Sequence, residues 1–107
     1  MKNTSDNATL FNAIDGYDFF TNSQKTTLQV LLNLSEDNIV NTTVNSLCEL
    51  VHITRSMMYI NLSSLEEEKF IIKRDSIKKR IISYELNIDK LDTIKSLYNK
   101  KLAMMEK

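Results

Sequence analysis

The chain has 107 residues, of which 42% are hydrophobic and 26% charged, with one glycine and no proline. This length supports one domain with a single core, and the scarcity of glycine argues against a glycine-rich phosphate loop. No apolar run approaches the roughly 20 residues that a membrane-spanning helix needs. The single cysteine, Cys48, excludes an internal disulfide, which fits a reducing compartment. We therefore expect a helical, cytoplasmic protein without a membrane partner.

Charge is segregated along the chain, although the formal net charge is zero. Residues 1–68 carry three basic and nine acidic side chains, a net charge of −6. Residues 69–107 carry eleven basic and five acidic side chains, a net charge of +6. The asymmetry is more informative than the total, because it leaves one half of the chain basic.

The first third of the sequence predicts a polar start followed by two helices. We expect residues 1–9 to be flexible and residues 10–107 to form the domain. A short apolar stripe at residues 10–14 predicts one or two helical turns. The Thr21–Gln24 segment is a capping box, and it predicts a helix that runs to about Ser35.

The central segment predicts a helix-turn-helix. Ile39-Val40 is a candidate short strand, and Asn41 or Thr42 is expected to cap the next helix. His52-Ile53 forms the turn, since histidine tolerates a positive φ better than most residues. The predicted inward residues of the first helix are Val44, Leu47, Leu50 and Val51, with Cys48 in a small-residue slot.

The second helix of this pair is predicted to begin after a Thr54 cap and to end near Glu68. Its inward residues, Met58, Leu62 and Leu65, recur at helical spacing. Tyr59 and Asn61 are expected to lie on the exposed surface.

The hydrophobic period then changes from 3.6 to 2, which predicts two strands at residues 70–74 and 80–86. Asp89 is expected to cap a final helix. The apolar side of that helix is predicted to consist of Leu91, Ile94, Leu97, Tyr98, Leu102 and Met105.

This order of elements is typical of a mainly α (α+β) fold, a winged helix-turn-helix with a two-stranded wing and a C-terminal helix. In such a domain, the N-terminal turn of the second helix reaches base edges in the major groove. Thr54, Arg55 and Ser56 occupy that turn here, and Arg55 is a candidate for a bidentate contact with guanine. The wing carries five cations suited to phosphates and to the narrow minor groove of A·T-rich DNA. They are Lys73, Arg74, Lys78, Lys79 and Arg80.

Catalysis has little support in this sequence. The one histidine, His52, and the one cysteine, Cys48, have no partner at metal-ligand or nucleophile spacing. The acidic run Glu66–Glu68 is typical of a solvated helix end. We therefore predict a protein that is not an enzyme and needs neither metal nor cofactor.

Two large apolar residues, Met57 and Ile60, are predicted to face outward from the second helix. Exposing them forgoes roughly 1.5–3 kcal/mol each, so burial against a partner is expected. Contact with thymine methyl groups is the alternative.

The run from Glu49 to Tyr59, the basic hairpin and the ending Asn99–Met105 resemble TubR, the DNA-binding adaptor family of tubulin-type partition systems on plasmids and prophages. The resemblance spans about residues 10–105. It implies a homodimer that binds repeated centromere-like sites and recruits a tubulin-like GTPase, with possible repression of its own operon. It also implies a dimer interface at Met57, Ile60 and Ser64, with Thr54, Arg55 and Ser56 meeting the major groove.

Two other classes remain open. A transcriptional regulator similar to MarR or SarA fits the Arg74-Asp75 pair followed by Arg80, and its dimer would form through terminal helices. Leu91, Ile94, Tyr98 and Met105 would then lie in the interface. A winged helix that binds protein instead of DNA is the third class, and its binding would not depend on salt.

Overall fold

The computed structural model describes residues 4–76 and 78–105, with side chains from residue 8 onward. Within these ranges the chain forms five helices and a three-stranded antiparallel sheet, so the predicted fold class is confirmed. The elements are α1 Thr4–Asp15, α2 Asn22–Leu34, β1 Ile39–Thr42, α3 Val44–Val51, α4 Arg55–Glu67, β2 Ile71–Arg74, β3 Ile82–Leu86 and α5 Ile88–Met105.

The N-terminal helix begins earlier than the apolar stripe indicated. Helix α1 starts at Thr4 instead of Leu10, because polar residues continue the helical backbone beyond the stripe. Residues 1–3 of the segment expected to be flexible lie outside the described residues, as does Ile77 in the wing turn. The division into a flexible segment 1–9 and a domain 10–107 stays a prediction.

Threonine side chains cap two helices as predicted. The Thr21 hydroxyl accepts from the Gln24 amide at 3.2 Å, and the Gln24 side chain accepts from the Thr21 amide at 2.9 Å, which completes the capping box. The Thr54 hydroxyl accepts from the Met57 amide at 3.2 Å at the start of α4. Each cap satisfies an amide that the helix itself leaves unpaired.

Two other caps differ from the prediction. Thr43, not Asn41 or Thr42, caps α3, because β1 extends through Thr42 and pairs with Ile82. At the start of α5, the Lys90 amide donates to Asn87 Oδ1 at 3.4 Å. Asp89 therefore lies in the first turn instead of at the cap.

The turn between α3 and α4 confirms the interpretation of His52. Its φ of 62° and ψ of 47° are left-handed, a conformation that glycine usually supplies and histidine tolerates. Lys69, after α4, also adopts a positive φ of 69°. Both residues let the chain reverse direction without glycine.

The sheet has the order β1-β3-β2, so β3 pairs with both neighbours. Val40 and Lys73 lie opposite Tyr84 on its two sides. Because side chains alternate across a strand, Lys73 shares a face with the buried Tyr84, whereas Arg74 lies on the other face. Strand β1 is longer than the two residues predicted.

The core lies between the helices and the inner face of the sheet, and it contains most of the predicted inward residues. Met58, Leu62 and Leu65 are buried on α4 as expected. Leu50 was wrongly assigned to the core, since it is 50% exposed on α3. On α5, Leu91 and Ile94 are buried against α1, whereas Leu97, Leu102 and Met105 are exposed.

The prediction for Asn61 was also wrong: its side chain is buried, only 1% exposed. Asn61 Nδ2 donates to Ser23 Oγ and to Thr27 Oγ1, both at 3.2 Å. The Thr27 hydroxyl in turn donates to the Ser23 carbonyl at 2.7 Å. This polar cluster joins α4 to α2 and explains how an amide is tolerated in the core.

Replacing Asn61 with alanine is expected to lower the free energy of unfolding by about 1–3 kcal/mol, because the two hydroxyls lose their buried donor. Urea denaturation measures the effect as a lower midpoint at unchanged slope. Asn33→Ala, an exposed change on α2, is the matched control. Equal midpoints for the two variants would show that the cluster does not contribute to stability.

Candidate nucleic-acid interface

The first turn of α4 is exposed, as a DNA-reading turn requires. Thr54, Arg55 and Ser56 are all exposed. The Thr54 oxygen is occupied as the helix cap, but its O–H remains free to donate, as does that of Ser56. Two hydroxyls and one guanidinium are therefore presented at the start of the helix.

Arg55 does not project freely from this turn. Its Nη1 donates to Asn45 Oδ1 at the start of α3, and its Nη2 donates to the Tyr59 hydroxyl at 3.2 Å. The guanidinium carbon lies 5.9 Å from the centre of the Tyr59 ring. Sequence reasoning did not identify Asn45 as a partner of Arg55. The contact between Arg55 and Tyr59 did have a sequence signal, because residues four positions apart in a helix are neighbours on its surface.

The wing cations divide between the two faces of the β2–β3 ribbon. Arg74 forms an ion pair with Glu85 at 3.2 Å and lines a hollow on the outer face together with Lys78. Arg80 lines a cleft on the helix-facing side. In the described part of the chain, no acidic side chain pairs with Lys73, Lys78, Lys79 or Arg80. The ribbon thus offers unpaired positive charge on both faces.

A cleft of about 650 Å³ brings the start of α4 and the wing together. It lies where the first turns of α3 and α4 meet the beginning of β3. Arg55 and Arg80 line the same cleft, although they are 25 residues apart in sequence. Met57 and Lys79 do not line it.

The outward face of α4 carries no charge between Arg55 and Glu66. Met57 is 40% exposed and Ile60 is 58% exposed, as predicted. Ser64 is only partly exposed, and its hydroxyl accepts from Gln24 Nε2 at 3.0 Å. The three residues of the expected interface are therefore partly accessible, but Ser64 also ties α4 to α2.

One buried phenol close to α4 has a shifted pKa. Burial raises the pKa of the Tyr84 phenol, and the Glu66 carboxylate and the Tyr59 hydroxyl raise it further. Tyr84 therefore stays protonated at neutral pH.

A second apolar surface lies where α1, the residues after it and α5 meet. Phe19 is 80% exposed, and it lines a shallow hollow together with Leu97 and Tyr98. Met104 and Met105 continue the apolar surface along α5, at 76% and 73% exposure. Of the four residues expected in a dimer formed through terminal helices, Tyr98 and Met105 are accessible, whereas Leu91 and Ile94 are buried in the core.

Other kinds of site find no support among the described residues. Residues 4–76 and 78–105 contain no group of three His, Cys, Asp or Glu side chains able to hold a metal ion. Cys48 is a free, partly buried thiol that packs against the core. No helix in these ranges is both long enough and apolar enough to cross a membrane.

The helix-turn-helix of α3 and α4, followed by the β2–β3 ribbon, defines a winged helix-turn-helix domain. Several solved structures share this fold, among them the following three. MepR, a transcription regulator of the Staphylococcus aureus multidrug efflux pump MepA, matches with a TM-score of 0.57 and 18% identity, over 95% of this chain and 78% of its own. YusO from Bacillus subtilis matches with a TM-score of 0.56 and 20% identity, over 96% and 70%. The transcriptional repressor BigR from Xylella fastidiosa matches with a TM-score of 0.52 and 18% identity, over 90% and 86%.

At these identities the likeness shows the fold alone. No protein-family model matches the sequence, and the search of curated proteins finds no match.

Proposed function

We propose that this chain binds double-stranded DNA sequence-specifically, as a homodimer. The observation that carries the proposal is the shared cleft of the first turn of α4 and the end of the wing turn, next to wing lysines that have no acidic partner among the described residues. Arg55 and Arg80 both line this cleft. Phosphate neutralisation supplies much of the affinity of such proteins, and a winged domain provides a helix for the major groove and a ribbon for the minor groove.

Each predicted DNA-contacting residue has a place in this proposal. Thr54 and Ser56 donate at the major groove, with Arg55 beside them. The ribbon enters a neighbouring minor groove of A·T-rich DNA, where positive charge on both faces reaches phosphates of both strands. The ribbon residues are Lys73, Arg74, Lys78, Lys79 and Arg80.

The double variant Lys78→Ala/Lys79→Ala is expected to weaken binding to a labelled A·T-rich duplex by about tenfold or more at moderate salt. Two lost phosphate contacts should also lower the slope of log K against log salt by about 1.8. Fluorescence anisotropy at several salt concentrations measures both quantities.

The matched control is Lys25→Ala/Lys100→Ala, which removes the same charge from α2 and α5. An equal loss of DNA affinity in this control would mean that the net charge of the protein, and not the position of the wing lysines, determines binding. Wild-type protein that binds no duplex would contradict DNA binding and favour a protein-binding winged helix.

For the dimer, we propose an interface at Met57, Ile60 and Ser64. The apolar, uncharged face of α4 supports it, since a face buried between DNA phosphates would be expected to carry cations. With that face covered by a second copy, only the first turn of α4 remains for DNA.

Two biological roles fit a dimer of this kind. The α4 interface supports a partition adaptor on plasmid or prophage DNA in the cytoplasm, which binds repeated sites and recruits a tubulin-like GTPase. The shared fold with MepR and BigR, which are named as transcriptional regulators, supports a regulator. Repression of its own operon is compatible with both.

The two roles differ in what loss of the gene does. A partition adaptor stabilises a low-copy plasmid that carries its own binding sites, and deletion of the gene should increase plasmid loss. A regulator changes expression from a promoter reporter without changing plasmid inheritance. Unchanged inheritance combined with altered reporter activity would therefore reject the partition role.

A further inference from the structure

The cleft between α3, α4 and the wing is lined by two arginines, three neutral polar residues and two apolar residues. Two of its lining side chains are guanidinium groups, from Arg55 and Arg80. The neutral polar groups of Thr43, Asn45 and Tyr59 complete its polar lining. No carboxylate is among the lining residues that the structure describes. Positive charge is therefore concentrated without a counter-ion.

Arg55 is held in place before any ligand binds. A guanidinium has five N–H donors, and Asn45 and Tyr59 occupy two of them. Three donors remain for a ligand. Two of these remaining donors suffice for a bidentate contact with a phosphate while Asn45 and Tyr59 keep theirs.

Arg80 occupies the cleft at a cost in backbone energy. Its φ is 69°, which is left-handed and unfavourable for a residue with a side chain. Arg80 lies near the end of the wing turn. Next to it, the Ile81 amide donates to the Lys78 carbonyl at 3.3 Å.

We propose that this cleft is a phosphate site that takes one backbone phosphate of the bound DNA, with Arg55 and Arg80 as its donors. Asn45 and Tyr59 act as positioning residues for Arg55. The planar fork of a guanidinium matches the oxygens of a phosphate. The inference rests on the proposed DNA binding, and it replaces the base contact that we expected of Arg55 from the sequence.

Asn45→Asp is the sharpest test. The new side chain keeps the shape of asparagine and still accepts from Arg55, but it places a carboxylate in the cleft. We expect affinity for duplex DNA to fall about tenfold, by the same factor on A·T-rich and G·C-rich duplexes. Asn33→Asp, which makes the same charge change on the exposed side of α2, should leave affinity unchanged.

Arg55→Ala distinguishes phosphate contact from base contact. Loss of one phosphate contact should weaken binding to every duplex equally and lower the salt slope by about 0.9. Lys100→Ala, on α5, is the control for charge alone. A loss confined to guanine-containing duplexes, with an unchanged salt slope, would overturn the proposal.

Titration with inorganic phosphate tests the cleft without DNA. We expect the side-chain Nε–Hε NMR signals of Arg55 and Arg80 to shift in the wild type and not in Asn45→Asp. If phosphate shifts them but Asn45→Asp binds DNA normally, the site takes a free anion and its DNA role is wrong. If the wild type binds phosphate but no duplex, the proposed DNA binding fails. Absence of phosphate-induced shifts, together with unaltered DNA binding by Asn45→Asp, would overturn the phosphate site itself.

Discussion

Replacing Met57 with glutamate is expected to convert the proposed dimer into monomers. In the α4 interface each copy would contribute this residue, so a two-fold axis doubles the substitution. Removing one partner of a buried charge pair costs about 3–5 kcal/mol. Burying the unpaired carboxylate of Met57→Glu in the interface should have a comparable free-energy cost. A cost of about 4 kcal/mol raises the dimer Kd by about 1,000-fold. Sedimentation velocity over a range of protein concentrations measures the change.

Leu97→Glu is the matched control, because it makes the same change on α5 at a residue that is 50% exposed. A dimer that survives Met57→Glu but is lost with Leu97→Glu would contradict the α4 interface and place assembly on the terminal helices. Ile94 does not serve this purpose. It is 2% exposed, so a charge there would disrupt folding before assembly.

Met58→Ala is expected to lower the free energy of unfolding by about 2–5 kcal/mol. The side chain is fully buried on the inner face of α4, and shortening it removes apolar contacts and leaves a cavity. A domain of this size has a total stability of about 5–15 kcal/mol, so a large part of it would be lost. Urea or thermal denaturation at low protein concentration measures the loss.

Met104→Ala provides the comparison, since the same side chain is 76% exposed on α5. Its effect should stay within about 0.5 kcal/mol. Similar losses for Met58→Ala and Met104→Ala would contradict the assignment of Met58 to the core.

Local signals in the sequence predicted most of the fold. The helices around Thr21 and Thr54 were found because a cap is a local hydrogen-bonding pattern. The inward residues Met58, Leu62 and Leu65 followed from helical periodicity, and the two wing strands followed from the change of period. The left-handed His52 was anticipated from the tolerance of histidine for a positive φ.

The errors lie where contacts distant in sequence override local preference. An asparagine in a helix is usually exposed, and only the hydroxyls of Ser23 and Thr27, 38 and 34 residues away, allow Asn61 to be buried. The cap of α3 moved to Thr43 because β1 pairs with β3. Leucine generally favours burial, but Leu50 lies on the outer side of a short helix.

The candidate site was predicted residue by residue but not as an arrangement. The sequence indicated Arg55 and the wing cations as DNA contacts. It did not indicate that Arg55 is bound to Asn45 and Tyr59, or that Arg80 shares its cleft while Arg74 and Lys78 lie on the opposite face. Those relations depend on the packing of α3 against α4 and on the register of the sheet.

The hydrogen bonds of the buried Asn61 side chain favour one rotation of α4 about its own axis. Each residue turns an α-helix by about 100°, so a rotation by one position would move Asn61 away from the hydroxyls of α2 and leave them unpaired. An all-apolar core tolerates such rotations more easily, because apolar contacts have little directionality. Together with the buried Met58, Leu62 and Leu65, this polar contact keeps Met57 and Ile60 on the outward side of α4.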